Sequence, residues 1–383
     1  MTDPVIIFYI LLLFFGIIYL VIISIYTYGW FRLKTYKPPD ITLKTQVSII
    51  IPARNEEKNI TNLLADLVKQ DFSKDLFEII VIDDNSSDQT VNIVNSFISS
   101  HPEHKIQLIK ISEEEPFMAY KKKAISLAIE KSKGDLIVTT DADCRLGEKW
   151  LKSIVSFYES EKPGMIVGPV SFHNEKSFFE KMQTLEFLSF IAITGGAIKI
   201  GNPIMCNGAN LAYEKKAFYD VGRFGGDEFS SGDDVFLMLK IKKYFGNKSV
   251  RFLKNYNAFV FTEAKKTLRD FFNQRTRWAS KNKGYDFKIL FISVTVYMIN
   301  LLLLTGLVLS IFYPFLFKIV VFSYLVKLII DIPILIGIGN FIKRSRMFIF
   351  SLPLILIYPV YIILTGALGI VGNYQWKGRK VKK

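Results

Sequence analysis

Cysteine and histidine are both scarce. Cys144 and Cys206 are the only cysteines in 383 residues, so no disulfide framework is implied, which suits a reducing cytoplasm. His101, His104 and His173 are the only histidines and form no zinc-ligand pattern. The glycine signatures of nucleotide binding are missing too. No G-x-G-x-x-G follows the first β-branched run, which argues against a dinucleotide dehydrogenase. No G-x-x-x-x-G-K-S/T occurs, which argues against a P-loop NTPase. Internal repeats and low-complexity tracts are absent. A phosphate bound here must be held by carboxylates and a metal instead of a glycine-rich cradle.

Apolar residues are abundant. They make up 50% of the chain, the mean hydropathy is +0.27, and they concentrate at the two ends. Val5 to Tyr26 is uncharged over about 22 residues, enough to cross a ~30 Å hydrocarbon core. No basic flank precedes it and no small-residue cleavage site follows, so it reads as a retained anchor. Arg32, Lys34 and Lys37 come next and put the downstream side in the cytoplasm. Ile289–Phe317 and Met347–Val371 are also uncharged, and Ile319–Asn340 carries only Lys327 and Asp331. That pair is spaced i, i+4, so on a helix it can neutralise itself on one face. The count is one N-terminal and three C-terminal helices. It leaves the basic tail Lys377–Lys383 on the far side, against the positive-inside rule. Pro353 and Pro359 offer a broken or re-entrant last segment as the alternative.

The net charge is +14, which raises the possibility of a nucleic-acid partner. Its distribution excludes one. Lys265, Lys266, Arg269, Arg275, Arg277, Lys281, Lys283 and Lys288 lie just before the C-terminal apolar block, and the basic tail just after it. Basic residues flanking apolar helices face anionic lipid headgroups, so the partner is membrane lipid.

Between the apolar ends, strand and helix patterns alternate. Val47–Ile51 is a β-branched strand stopped by Pro52, and Asn55 is placed to cap the helix carrying Leu63, Leu64 and Leu67. Phe77–Ile82 is a second strand, ending in Asp83-Asp84-Asn85-Ser86-Ser87-Asp88 before a helix over Gln89–Ser99. Lys105–Ile111 is a third strand, Lys121–Lys131 a helix, and Asp135–Thr140 a fourth strand. This order predicts an α/β fold, a mostly parallel sheet with helices on both faces. Ligands then bind at the carboxyl ends of the strands, where the unusual polar loops fall. The fourth strand runs into Asp141-Ala142-Asp143. In an extended backbone two carboxylates at i and i+2 share a side, where they can hold Mg²⁺ or Mn²⁺ against a diphosphate.

Pro52-Ala53-x-Asn55-Glu56, Asp83-Asp84-Asn85-Ser86-x-Asp88, Asp141-Ala142-Asp143, Gly232-Asp233-Asp234 and Gln274-x-x-Arg277-Trp278 follow one another in that order. Over residues 46–285 this series resembles the family-2 glycosyltransferases with a GT-A fold, in particular the membrane-anchored group that includes ceramide glucosyltransferases and bacterial polysaccharide synthases. The resemblance implies that Pro52, Asn55, Glu56, Asp83 and Asp84 serve the nucleoside of a UDP-sugar. It implies Lys123, or its neighbour Lys122, and Arg277 on the donor, and Asp141 and Asp143 on the metal, with Asp141 also touching ribose. Asp234 would be the general base, with Asp233 beside it. Asn207, Gly208, Asn210, Gln274 and Trp278 would face the acceptor, a lipid or glycan. Gln274, Arg277 and Trp278 share one face of a helix that, with Phe271 and the lysines around it, suits the membrane interface. The plainer readings are a hairpin turn at Asn207-Gly208, helix capping at Asp83 and Asp84, and a snorkelling arginine at Arg277. A C-terminal Tyr374-x-Trp376-Lys377-Gly378-Arg379 also resembles a short motif of this group.

The expected organisation is an anchor over 1–30, a cytoplasmic GT-A domain over 31–285, transmembrane helices over 286–373 and a basic tail over 374–383. The expected protein is a multi-pass enzyme of a bacterial inner membrane. It would move a sugar from nucleotide donor to lipid with inversion, and the resemblance supplies the inversion. A processive polysaccharide synthase and a non-catalytic scaffold of an envelope-assembly complex are the alternatives.

Overall fold

A computed structural model describes residues 3–111, 120–225, 232–280, 284–371, 374–376 and 379–381. Lys281, Lys283, Lys377, Gly378, Lys382 and Lys383 of the basic stretches lie outside the described residues. The first elements are α1 (Asp3–Arg32), β1 (Val47–Ala53), α2 (Ile60–Val68), β2 (Phe77–Asp83), α3 (Thr90–Ser100), β3 (Ile106–Lys110), α4 (Tyr120–Lys131) and β4 (Leu136–Thr139). There follow β5 (Arg145–Leu146), α5 (Trp150–Glu161), β6 (Met165–Val167), β7 (Val170–His173), α6 (Phe178–Lys199), β8 (Leu211–Glu214), α7 (Lys215–Asp220) and α8 (Asp233–Phe245). The last are β9 (Val250–Phe252), β10 (Val260–Glu263), α9 (Leu268–Ala279), α10 (Phe287–Phe312), α11 (Phe315–Phe341), α12 (Ser351–Val371), β11 (Tyr374–Trp376) and β12 (Arg379–Val381).

The chain forms two compact units, each discontinuous in sequence. One holds Leu33–Asn174 and Ala197–Ala264, the other Met1–Arg32, Glu175–Gly196 and Lys265–Lys383. The first contains a seven-stranded sheet of order β3-β2-β1-β4-β8-β6-β9 and a three-stranded sheet of order β5-β10-β7. β3, β2, β1 and β4 run parallel, β8 runs antiparallel to both its neighbours, and β6 and β9 are parallel. The mostly parallel α/β sheet expected from the alternation is therefore present. Ile49, Ile50 and Ile51 are fully buried, because a central parallel strand is covered on both faces and must be apolar throughout.

Three local expectations change. Pro52 does not stop β1, which continues to Ala53 in register with Asp83. Ile50 O accepts from Thr140 N on the β4 side, whereas Ala53 O accepts from Asp84 N on the β2 side. By alternation the missing N–H of Pro52 faces β4, whose pairing with β1 ends at Ile50, so no ladder bond is lost. Asn55 is not a helix cap; α2 starts later, after Asn59. And the backbone at Asp141–Cys144 is not extended: Cys144 N donates to Asp141 O at 3.1 Å, closing a turn.

In the helical unit, Pro4–Arg32, Phe287–Phe312, Phe315–Phe341 and Ser345–Gly369 are four helical stretches long and apolar enough to cross a membrane. Pro359 lies within an unbroken α12. Lys327 Nζ meets Asp331 Oδ2 at 2.6 Å, as the i, i+4 spacing predicts, and Tyr19 OH donates to Asp331 Oδ1 at 2.7 Å. The pair is thus tied to α1 as well as to itself. α6 and α9 cluster with these helices and not with the sheet.

Gly134 opens β4 with its amide on Ser48 Oγ, which in turn donates to Glu78 Oε1. A Cβ there would lie 2.4 Å from the Ser48 nitrogen and 2.5 Å from the Val47 carbonyl carbon, both backbone atoms that cannot step aside. Gly134→Ala is expected to destabilise the protein by roughly 1–3 kcal/mol through forced backbone displacement. Thermal unfolding of detergent-purified protein checks this; an unchanged midpoint would mean the strands are less tightly coupled than the geometry implies.

Candidate active site

One pocket in the sheet unit opens at the carboxyl ends of β1 and β4. Pro52 from β1, Thr139 and Asp141 at the end of β4, Gly208 from the loop before β8, and Asp233 and Asp234 from the start of α8 line it. Ile125, Leu211, Tyr213, Phe224 and Leu237 form its apolar wall. Parallel strands bring their carboxyl ends to one edge, so residues far apart in sequence converge there.

Asp234 is held by two backbone amides. Gly208 N donates to its Oδ2 at 3.1 Å and Val235 N to its Oδ1 at 2.8 Å. The second bond follows from its place in the first turn of α8, where amides have no helical partner and the dipole favours an anion. Thr139 Oγ1 donates to Gly208 O at 2.9 Å, which fixes the loop that carries the first bond.

At the end of β2, Asp83 is buried. Its Oδ2 accepts from Ser86 N at 3.2 Å, and its Oδ1 has no hydrogen-bond partner among the described residues. A buried carboxylate oxygen without a donor is costly, and a ligand N–H or O–H would satisfy it. Asp84 is also buried, but it faces Arg54, whose Nη1 lies 4.0 Å from Asp84 Oδ1 and donates to the carbonyls of Asp84 and Asn85. Asn55 bridges the two loops: its amide donates to Ser86 Oγ and its side-chain oxygen accepts from Ser87 N at 2.8 Å. Asn55 and Asn85 both adopt φ of 52°, a left-handed conformation that asparagine tolerates better than most residues. Glu56 accepts from Asn59 Nδ2 and gives its amide to Thr90 Oγ1. Asp88 receives the Thr90 amide and hydroxyl and so opens α3. Those bonds hold its carboxyl below the usual range against the opposing effect of desolvation.

Asp141 and Asp143 are half-buried, while Ala142 and Cys144 between and after them are buried. The turn therefore keeps the two carboxylates partly open although the backbone is not extended. Among the described residues no third His, Cys, Asp or Glu joins them. Two carboxylates with room for non-protein oxygens fit a hard divalent cation shared with a phosphate. Burial, reinforced by the charges of Asp143 and Asp141, pushes the Cys144 thiol well above its ordinary value, so it stays neutral beside them.

Further expected residues have the following settings. Lys123 is exposed, whereas Lys122 is buried with its Nζ 5.6 Å from the centre of the Phe236 ring on α8. The Asn210 side chain is wholly committed to the framework. Its Nδ2 donates to Pro169 O at 2.7 Å and Ala258 O at 2.8 Å, and its Oδ1 accepts from Trp150 Nε1 at 3.1 Å. It cannot also reach an acceptor. Asn207 Oδ1 accepts from Ala209 N, making the turn its Asn-Gly signal predicts. Gln274, Arg277 and Trp278 lie on α9 in the helical unit, with Trp278 against Phe187. Arg54, Thr139 and Arg275 were not singled out from the sequence, since their partners are distant along the chain.

A model of glycosyl transferase family 2 matches residues 48–222, and a model of glycosyl transferase family group 2 matches residues 136–364. The chain is 31% identical over 252 residues to a probable glycosyltransferase, YdaM, of Bacillus subtilis, covering 64% of this chain and 57% of YdaM. It is 24% identical over 234 residues to a beta-monoglucosyldiacylglycerol synthase of Trichormus variabilis, covering 61% of this chain and 48% of that protein. The match thus spans about half the length of these relatives. Among solved structures, the mannosyltransferase PcManGT of Pyrobaculum calidifontis, in complex with GDP-Man and Mn²⁺, aligns with a TM-score of 0.59 over 95% of this chain and 99% of its own. At 17% identity that likeness is one of fold, GT-A-like.

Asn210→Ala strands two carbonyls and an indole N–H in a buried place. It is expected to lose roughly 2–4 kcal/mol of stability, since each unpaired buried group costs about 1–3 kcal/mol. Chemical or thermal denaturation measures it. A variant as stable as the parent but impaired with acceptor would return Asn210 to the acceptor side.

Proposed function

Because the chain belongs to glycosyl transferase family 2, we propose that it moves a sugar from a UDP-sugar to a membrane lipid acceptor with inversion at the anomeric carbon. One observation carries this most: Pro52, Asp141, Gly208, Asp233 and Asp234 converge on a single pocket at the strand ends. Nucleoside recognition falls to Asp83, whose unsatisfied Oδ1 suits an N–H of uracil or an O–H of ribose. Asn55 and Arg54 shape the loops around it. Asp141 and Asp143 would hold Mg²⁺ or Mn²⁺, which when bound supplies Lewis-acid stabilisation of the departing diphosphate. Asp234, fixed by two amides, takes the proton of the acceptor hydroxyl as that oxygen attacks the anomeric carbon. Attack opposite the leaving group inverts the centre. Such a base contributes roughly 10²–10⁴-fold. By family resemblance Arg277 serves the diphosphate, and Gln274 and Trp278 the acceptor.

Single addition is favoured over a polymer. The charged side chains Lys327 and Asp331 are paired with each other and with Tyr19 inside the helical unit, so they supply no polar lining for a growing glycan. The named activity of the Trichormus relative, a glycolipid synthase, agrees with a lipid acceptor.

Positive-inside charge at Arg32, Lys34 and Lys37 supports a cytoplasmic catalytic domain in a bacterial inner membrane. The ends of α12 support a tail on that same side. α10 and α11 form an antiparallel pair, and Trp30 of α1 meets Phe341 edge-on at the end of α11. α12 starts at that end of the bundle. Its last turns meet Tyr297 and Ala279, in the first half of α10 and before it. A crossing helix would finish beside the end of α10 instead. We therefore read α12 as an unbroken helix with both ends near one face of the membrane, which would let the basic tail obey the positive-inside rule.

Two measurements test these assignments. Detergent-extracted protein with Mn²⁺ or Mg²⁺, a UDP-sugar panel and a bacterial lipid extract is expected to release UDP with one sugar. Asp234→Asn should lower that rate roughly 10²–10⁴-fold and a chelator should abolish it. Label in the lipid phase marks single addition, label in a polymer contradicts it, and no release with any UDP-sugar rejects the donor. For the tail, Lys383→Cys in intact cells should resist a membrane-impermeant maleimide and react only after permeabilisation. Labelling of intact cells would restore a crossing α12.

A further inference from the structure

The second position of the Gln274–Trp278 segment holds an arginine that the family reading leaves without a role. Arg275 is 4% exposed, so its charge is almost wholly removed from water. Its Nη2 donates to Glu186 Oε2 of α6 at 2.6 Å, and the other oxygen of Glu186 accepts from Tyr361 OH of α12. Its Nη1 donates to Gln274 Oε1 at 2.8 Å. The guanidinium carbon lies 4.3 Å from the centre of the Trp278 ring and 4.7 Å from that of Phe271. Phe271 in turn packs on Phe179 and Tyr361.

A buried ion pair is poor evidence of stabilisation, because desolvating two charges offsets most of their attraction. An apolar side chain would fill the same space at less cost. What a leucine cannot do is hold the amide of Gln274 by a hydrogen bond and the face of Trp278 by its charge at once. The planar fork of arginine does both in one rigid geometry, whereas lysine offers a point charge on a flexible stem.

We propose that Arg275, clamped by Glu186 and Tyr361, is a positioning residue that sets the orientation of Gln274 and Trp278 for the lipid acceptor. This rests on the acceptor-side reading of those two residues given above. Arg275 itself touches no reacting atom. It acts by keeping two neighbours from sampling other rotamers, so its loss weakens acceptor use and leaves donor chemistry alone.

The test compares the parent with Arg275→Lys, Glu186→Gln and Tyr361→Phe, as full-length detergent-purified proteins. Activity is read as UDP release against the concentration of bacterial lipid extract, and separately as slow hydrolysis of the donor without lipid. Orientation is read by ¹⁹F NMR of 5-fluorotryptophan protein, with the Trp278 resonance assigned from Trp278→Phe. In Arg275→Lys the half-saturating lipid concentration is expected to rise roughly tenfold, with kcat and donor hydrolysis within about twofold. The Trp278 resonance should shift or broaden while those of Trp30 and Trp150 stay in place. Tyr361→Phe, the mildest change, should move both readouts the same way by less. If Arg275→Lys does not fold, Glu186→Gln and Tyr361→Phe decide. A lowered melting temperature with unchanged lipid dependence and an unmoved Trp278 signal would show a purely structural pair and overturn the proposal. If the parent releases no UDP at all, the function assigned above fails, and the ¹⁹F spectra alone then decide whether Arg275 orients Trp278.

Discussion

Four segments of the sheet unit meet at one amide side chain. Asn210 joins Pro169 after β6, Ala258 before β10 and Trp150 at the start of α5, and its own carbonyl takes the amide of Gly168. Gly168 has no Cβ because Asn210 fills that space; a Cβ would lie 2.3 Å from Asn210 Nδ2. The loop carrying Gly208 is anchored two residues from this knot, and Gly208 holds Asp234. The setting of Asp234 therefore depends on a hydrogen-bonded corner built elsewhere in the sheet unit. Such a corner must be complete, since each buried group left unpaired costs more than a made bond returns.

Three ion pairs in the described residues sit largely away from water, in one unit or the other. Arg54 faces Asp84, Arg275 faces Glu186, and Lys327 faces Asp331. Each pair links elements separated in sequence or fixes one helix face, and each shares a hydrogen bond with a third group: Asn85 O accepts from Arg54, Tyr361 OH donates to Glu186, and Tyr19 OH donates to Asp331. In the low dielectric away from water, charges survive only with such partners. Asp83 differs in kind: it is a buried carboxylate with one oxygen that lacks a donor among the described residues.

Much of this was legible in the sequence. β1 to β4 begin within a residue of where β-branched runs begin, because buried parallel strands need such runs. The acidic loops at their ends announced the site, and the i, i+4 charge pair announced Lys327–Asp331. Shorter elements were not legible. β6, β7, β9 and β10 are three or four residues each, too brief for alternation to show. α6 was missed because Glu180, Gln183 and Glu186 interrupt its apolar residues, and their reason lies in distant partners such as Lys265 and Arg275. The role given to Asn210 failed for the same cause: a polar residue in a motif looks available until its tertiary bonds are seen.

Cys144 directly follows Asp143 and is buried, with its thiol displaced far toward the protonated form. Sulfur chemistry runs through the thiolate, so this cysteine is a poor target for peroxide, for electrophiles and for disulfide exchange. This corner is therefore protected from oxidative damage chiefly by its burial, with the charges of Asp143 and Asp141 reinforcing it.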